Sequence, residues 1–248
     1  MRPKQNKRTT FIDHLEELRG RLIKSLIFFI AICCVFYSCV DRILELFIRP
    51  VGQLYFLSPA EAFEAHITLT FLGSFLLASP FIFFQFWQFI ATALTPQERR
   101  YVRIFAPLSV VLFLLGCAFS YFVVLPFSVK FLMGFSSELV KPMITVSRYI
   151  HFVGTMVLAF GFVFEFPLIM LFLIKIGIAT PEFLIQQRRY SIVFIFIISA
   201  VLTPPDCVSQ LLMALPLLLL YELSIGLAKW HVRSGAKKTS LSVESSSL

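Results

Sequence analysis

Four carboxylates hold the chemical interest of this 248-residue chain. Glu17 stands before Arg19 and Arg21, on the polar side of a stretch where Phe11, Leu15, Leu18 and Leu22 recur at helical spacing. Glu98 closes Thr95-Pro96-Gln97-Glu98, Glu165 lies inside Phe162-Val163-Phe164-Glu165-Phe166-Pro167, and Glu222 lies near the inner end of the last apolar run. A carboxylate on a surface helix or turn can hold a cation, best of all a guanidinium, which it meets through more than one hydrogen bond. A carboxylate inside an apolar run must instead find a partner or a proton. Each also has a plainer reading. Glu17 and Arg21 form an i,i+4 pair worth about 0.2–0.5 kcal/mol, and Glu98 is the N3 acid of a capping box. Glu165 can be a protonated acid bonded to a neighbouring helix, and Glu222 can reach the headgroups.

No catalytic residue is expected. The chain lacks G-x-x-x-x-G-K-[ST], H-E-x-x-H and G-x-S-x-G, and its four histidines, His14, His66, His151 and His231, are dispersed. Cys33, Cys34, Cys39, Cys117 and Cys207 form no C-x-x-C and have no histidine at ligand spacing, so neither a metal nor a cofactor is expected.

The elements that carry these acids are membrane helices. Hydrophobic residues make up 58% of the chain, charged ones 15%, and the mean hydropathy is +0.85. A soluble enzyme is excluded, and the net charge of +8 has no room to form a nucleic-acid groove. Six apolar stretches stand at roughly 22–40, 67–92, 104–125, 150–174, 190–202 and 207–228. Four are long enough to cross a hydrocarbon core of about 30 Å, the sixth is marginal, and the fifth spans only ~20 Å. That mismatch thins the bilayer locally or seats the helix among others.

Helix starts repeat one local pattern. Ser58-Pro59-Ala60-Glu61, Thr95-Pro96-Gln97-Glu98 and Thr203-Pro204-Pro205-Asp206 each offer a hydroxyl at N-cap, proline at N1 and an acid at N3. Thr180-Pro181-Glu182 is a variant, and Asp206 reads as a cap. Pro80, Pro107, Pro167 and Pro216 lie inside apolar runs, where kinked or broken helices are expected. The long connections 41–66 and 126–149 are expected to carry short helices that cap one face.

Basic residues are divided unequally between the two faces. Seventeen Lys and Arg fall on the side of the amino terminus and only five, Arg42, Arg49, Lys130, Lys141 and Arg148, on the other. By the positive-inside rule both termini are cytoplasmic, as six crossings require. The basic start resembles a secretory leader but has no A-x-A-like site, so it reads as a retained first helix. The domain reading is a basic, amphipathic segment at 1–24, a six-helix membrane domain at 25–228 and a disordered cytoplasmic tail at 229–248. The fold class is an all-α polytopic membrane bundle.

Taken together, these residues resemble the TatC family of the twin-arginine protein translocase. The resemblance is carried by Phe11-Ile12-Asp13-His14-Leu15-Glu16-Glu17-Leu18-Arg19-Gly20-Arg21 and by Phe89 through Leu94 with Glu98-Arg99-Arg100. It continues in Phe160 through Pro167 and in Leu202-Thr203-Pro204-Pro205-Asp206-Cys207-Val208-Ser209-Gln210. It implies a cup-shaped, multi-pass receptor of the bacterial cytoplasmic (inner) membrane that is not an enzyme. Such a receptor binds twin-arginine signal peptides of folded precursors, joins single-span TatA- and TatB-type partners in a multimeric complex, and is driven by the proton-motive force. It places Glu17 and Glu98 on the paired arginines, with Phe89, Arg19 and Arg21 around them, and partner docking near Thr203, Asp206 and Gln210. Thr92 stands where the family usually has proline, and Ala200 where it often has methionine. A rival expectation is a proton-coupled small-solute transporter with Glu165 as relay; the lack of an obvious internal repeat counts against it.

Overall fold

The computed structural model describes residues 11–48, 54–134, 143–202, 210–211, 213–226 and 228–229. The regular elements among them are helices: α1 (Phe11–Tyr37), α2 (Val40–Ile48), α3 (Pro59–Ala93), α4 (Arg99–Phe119), a π-helical turn (Ser120–Val124), α5 (Leu125–Met133), α6 (Val146–Phe164), α7 (Phe166–Lys175), α8 (Pro181–Gln186) and α9 (Arg188–Leu202). A last apolar helix, α10, runs Met213–Gly226. Thr203 and Asp206 lie outside the described residues.

Four helical segments are long and apolar enough to cross a membrane: α1, α3, α4 running on to Phe131, and α6 with α7. The fifth, α9, has 15 residues and is about 22 Å long. The amphipathic turns around Glu17 and the first span form one uninterrupted 27-residue helix.

Prolines decide where the other helices bend. Pro167 has no N–H to donate to the Val163 carbonyl, so α6 ends and α7 begins around Glu165. The Glu165 N–H folds back on Phe162 O at 3.1 Å, and the helix resumes with Ile169 N–H on Glu165 O at 2.9 Å. Ahead of Pro126 the chain widens into the π turn instead, with Leu125 N–H donating to Ser120 O. Pro80 and Pro107 are carried inside continuous helices.

Helix α3 is the centre of the bundle, packed by α1, α4 and α6, while α4 also packs on α6. Small residues let these helices approach. Gly73 lies directly under the Phe36 ring, and a Cβ at Gly116 would stand 2.5 Å from Phe160 O. The outer half of the core holds Leu69, Leu72, Phe113, Ile150 and Val153, and the inner half Trp87, Phe105, Leu168 and Phe172.

One short helix, α2, caps the outer face, whereas in the second long connection α5 continues the α4 span and is not a separate cap. Helix α2 is held to α3 by His66 Nε2 and Asp41 Oδ1 at 2.9 Å, and to α6 by Tyr149 O–H donating to Phe47 O at 3.2 Å. The two outer connections meet where Tyr55 N–H donates to Ile144 O (3.1 Å) and Val146 N–H to Tyr55 O (3.0 Å). One expected cap differs. The Ser58 hydroxyl makes no capping bond, and the Glu61 carboxylate instead accepts the Leu57 N–H at 2.7 Å. With proline at N1 there is one fewer backbone donor to satisfy.

Candidate functional site

Glu17 faces α3 from the inner end of α1. Its Oε1 accepts from Arg21 Nε at 3.0 Å and from Arg21 Nη2 at 2.6 Å. The same guanidinium reaches across to α3, where Nη1 donates to Gln85 Oε1 at 3.2 Å and to Gln88 Oε1 at 3.1 Å. What sequence spacing offers as a solvated i,i+4 pair is therefore part of a four-bond network, two of whose bonds cross from α1 to α3. The side chains of Arg21 and Glu17 are 19% and 29% exposed.

One turn earlier, His14 stacks on Phe89 with ring centroids 4.4 Å apart and planes inclined by 25°. Thr92 belongs to α3 itself. Its hydroxyl donates to Phe89 O at 2.7 Å and lies 3.4 Å from His14 Nδ1. A proline at 92 would offer no such hydroxyl. Arg19 is exposed; two residues from both Glu17 and Arg21, it projects from the opposite side of α1.

Glu98 is presented by the turn between α3 and α4. Its Oε2 accepts from the Thr95 N–H at 2.9 Å and the Thr95 O–H at 2.7 Å, while the Arg99 N–H reaches Thr95 O at 3.0 Å. The expected cap differs here: α4 begins at Arg99 with Glu98 at its N-cap, and the Thr95 hydroxyl donates to the carboxylate instead of accepting a helix N–H. The Thr95 hydroxyl and amide together hold the Glu98 carboxyl below its ordinary pKa, so it is ionised at neutral pH.

Beside these two acids lies a groove of about 640 Å³ between α3 and α4. Arg21, Gln88, Thr92, Arg99 and Arg103 form its polar lining, and Phe84, Trp87, Pro107 and Val110 its apolar lining. The buried Trp87 fixes the floor, its Nε1–H donating to Ser109 Oγ at 2.9 Å. Trp87 also packs edge-on against Phe172 at 4.9 Å. Around the groove the fixed charges are cationic, and Lys175 lies 4.5 Å over the Tyr101 ring. Glu17 and Glu98 are the acids beside this cationic lining.

The remaining sequence-predicted residues lie elsewhere. Glu165 sits at the α6–α7 break, 4% exposed, with Oε1 accepting no hydrogen bond. Glu222 pairs with Arg188 at 2.8 Å across α10 and α9, a partly exposed pair of little energetic weight. Gln210 Nε2 donates to Phe196 O at 3.1 Å, joining the start of the last helix to α9. An apolar groove of about 520 Å³ between the α6–α7 break, α9 and α10 is lined by Phe162, Phe166, Tyr190, Phe194 and Leu217. No group of three or more His, Cys, Asp and Glu that could hold a metal occurs among the described residues.

Sequence reasoning passed over His14, Gln85 and Gln88. The available signal was Gln85, Gln88 and Thr92, which at spacings of three and four put polar side chains on one face of an apolar stretch of α3.

Comparison with known proteins gives a consistent result. The profile of the family described as Sec-independent protein translocase protein (TatC) matches residues 13–216. A Sec-independent protein translocase protein TatC from Aquifex aeolicus is 42% identical over 232 residues, covering 89% of this chain and 95% of that relative. One from Carboxydothermus hydrogenoformans is 38% identical over 231 residues, covering 91% and 95%. A crystal structure of the twin-arginine translocase receptor TatC superposes with a TM-score of 0.80 at 42% identity, covering 88% of this chain and 98% of that one.

Proposed function

The chain belongs to the TatC family of Sec-independent protein translocase subunits, a non-enzymatic multi-pass membrane family, and from that membership we propose that it is the signal-peptide receptor of a twin-arginine translocase. In this reading it resides in the bacterial cytoplasmic membrane. It binds the R-R signal peptides of folded precursors and assembles with TatA- and TatB-type single-span partners into a multimeric, proton-motive-force-driven complex. The relatives support this reading rather than the small-solute transporter.

The observation that carries it is the pair of carboxylates on separate elements, Glu17 on α1 and Glu98 on the α3–α4 turn, beside one cation-rimmed groove. Consecutive side chains of an extended peptide project to opposite sides, so two arginines are best met by acids from two elements. Lysine meets a carboxylate as a point charge and forms fewer directed bonds, which disfavours K-K signals. Phe89 and His14 provide an aromatic surface for the apolar residue after the pair, and the peptide's apolar region continues past Phe84 and Trp87 toward Glu165. Partner spans dock on α9 and the last helix near Thr203, Asp206 and Gln210, beside the shortest span.

Photocrosslinking from positions 17, 89, 98 and 210 in native membranes tests the assignment. Signal peptide is expected at the first three and partner spans at the fourth. Glu17→Ala and Glu98→Ala are expected to abolish peptide crosslinking while the protein remains inserted; normal crosslinking in both variants sinks the reading.

A further inference from the structure

We propose that Arg21 is an internal occupant of the receptor's own carboxylate. In the resting subunit its guanidinium fills the place on Glu17 that an incoming arginine must take. The proposal rests on the receptor reading of Glu17 and adds a regulatory contact to that site.

Three observations carry it. The guanidinium commits Nε and Nη2 to a single Glu17 oxygen and Nη1 to two amide oxygens, so its donors on that side are engaged. Two of those partners belong to a different helix, which makes the contact part of the α1–α3 packing rather than a fluctuating surface pair. The groove beside it is rimmed by further cations, Arg99 and Arg103, so an entering cation gains little unless it displaces the one already on the acid.

Displacement has a defined course. As the peptide guanidinium engages Glu17, Arg21 gives up two bonds and keeps those to Gln85 and Gln88, which hold it aside without placing an acid between the two cations. The cost of unseating Arg21 is the same for any ligand, so the closed contact lowers the affinity of R-R and K-K peptides by one common factor. R-R peptides remain above the functional threshold because they replace the bonds lost, whereas K-K peptides fall below it. Selectivity in transport arises from a threshold laid over an ordinary preference of carboxylate for guanidinium.

Arg21→Lys is the discriminating variant, because it retains the charge and loses the fork that reaches three partners. Affinity of the full-length protein in detergent is measured with synthetic R-R and K-K signal peptides, beside Gln85→Ala/Gln88→Ala and Glu17→Ala. Arg21→Lys is expected to tighten both peptides by a similar factor, about three- to tenfold, with a smaller gain from the double glutamine variant. Unchanged or weaker binding in Arg21→Lys overturns the internal-occupant proposal, as does a change confined to one peptide. Glu17→Ala separates the two levels. If it weakens R-R binding while Arg21→Lys has no effect, the receptor reading stands and the proposal falls; if it leaves R-R binding intact, the assignment of Glu17 falls and takes the proposal with it.

Discussion

The crossing of α4 and α6 fixes where the turn bearing Glu98 stands relative to the break at Glu165, and two glycines make that crossing possible. A Cβ placed on Gly116 would lie 2.5 Å from Phe160 O and 2.8 Å from Phe164 Cγ, and one on Gly161 would lie 2.7 Å from Cys117 Sγ and from Phe113 Cε2. The Phe160 oxygen is backbone and cannot rotate away, so Gly116→Ala must push the helices apart. Overpacking of this kind costs about 1–3 kcal/mol. Against it stands about 0.5–1 kcal/mol gained when alanine replaces glycine inside a helix, which leaves a net loss of up to roughly 2.5 kcal/mol. Gly20, on the same chain but with nothing within 4 Å of its Cβ, is the control and should gain the helical term alone. Thermal unfolding of the purified chain in detergent should lower the midpoint for Gly116→Ala and raise it for Gly20→Ala. Equal midpoints for the two variants, or a more stable Gly116→Ala, would refute the packing argument.

Three further outcomes follow from the geometry. The carboxyl of Glu98 titrates below its ordinary range, so R-R peptide binding should stay level from neutral pH down through the usual carboxylate values and fall only beneath them. Thr95→Val, which removes one of the two donors, should move that fall to higher pH in a binding titration; an unmoved profile would show that Thr95 does not set it. Glu165→Leu replaces a buried acid oxygen that has no partner, so the isolated subunit should unfold later by about 1–3 kcal/mol while transport in native membranes declines. An earlier unfolding midpoint would mean that the acid has a structural partner. Trp87→Phe deletes the bond to Ser109 under the groove and should cost about 1 kcal/mol in detergent unfolding, with R-R peptide affinity reduced because the groove floor loosens.

Much of this arrangement is legible in local sequence, because its causes are local. Span lengths follow from uninterrupted apolar runs, the break at Glu165 from Pro167, and the capping helix α2 from one overlong connection. Thr180 caps α8 as its sequence indicates, its hydroxyl accepting the Phe183 N–H at 3.3 Å. Properties set by distant contacts are not legible in that way. Glu17 and Arg21 read as an ordinary helical pair because Gln85 and Gln88 lie 64 and 67 residues from Arg21. The His14–Phe89 stack is hidden for the same reason. The π turn before Pro126 escapes because a proline can break, kink or widen a helix, and the packing of neighbouring helices decides which.

The length of α3 joins the two faces of the molecule. Its 35 residues make a rod of about 52 Å, well beyond the ~30 Å of hydrocarbon it crosses. Near one end His66 grips the outer cap, and near the other Gln85 and Gln88 hold Arg21. A rod pivoted near its middle is a lever. A tilt of about 5° displaces one end relative to the other by roughly 4 Å, more than the length of a hydrogen bond. The inner arginine contact and the outer cap are thus attached to the two arms of one helix.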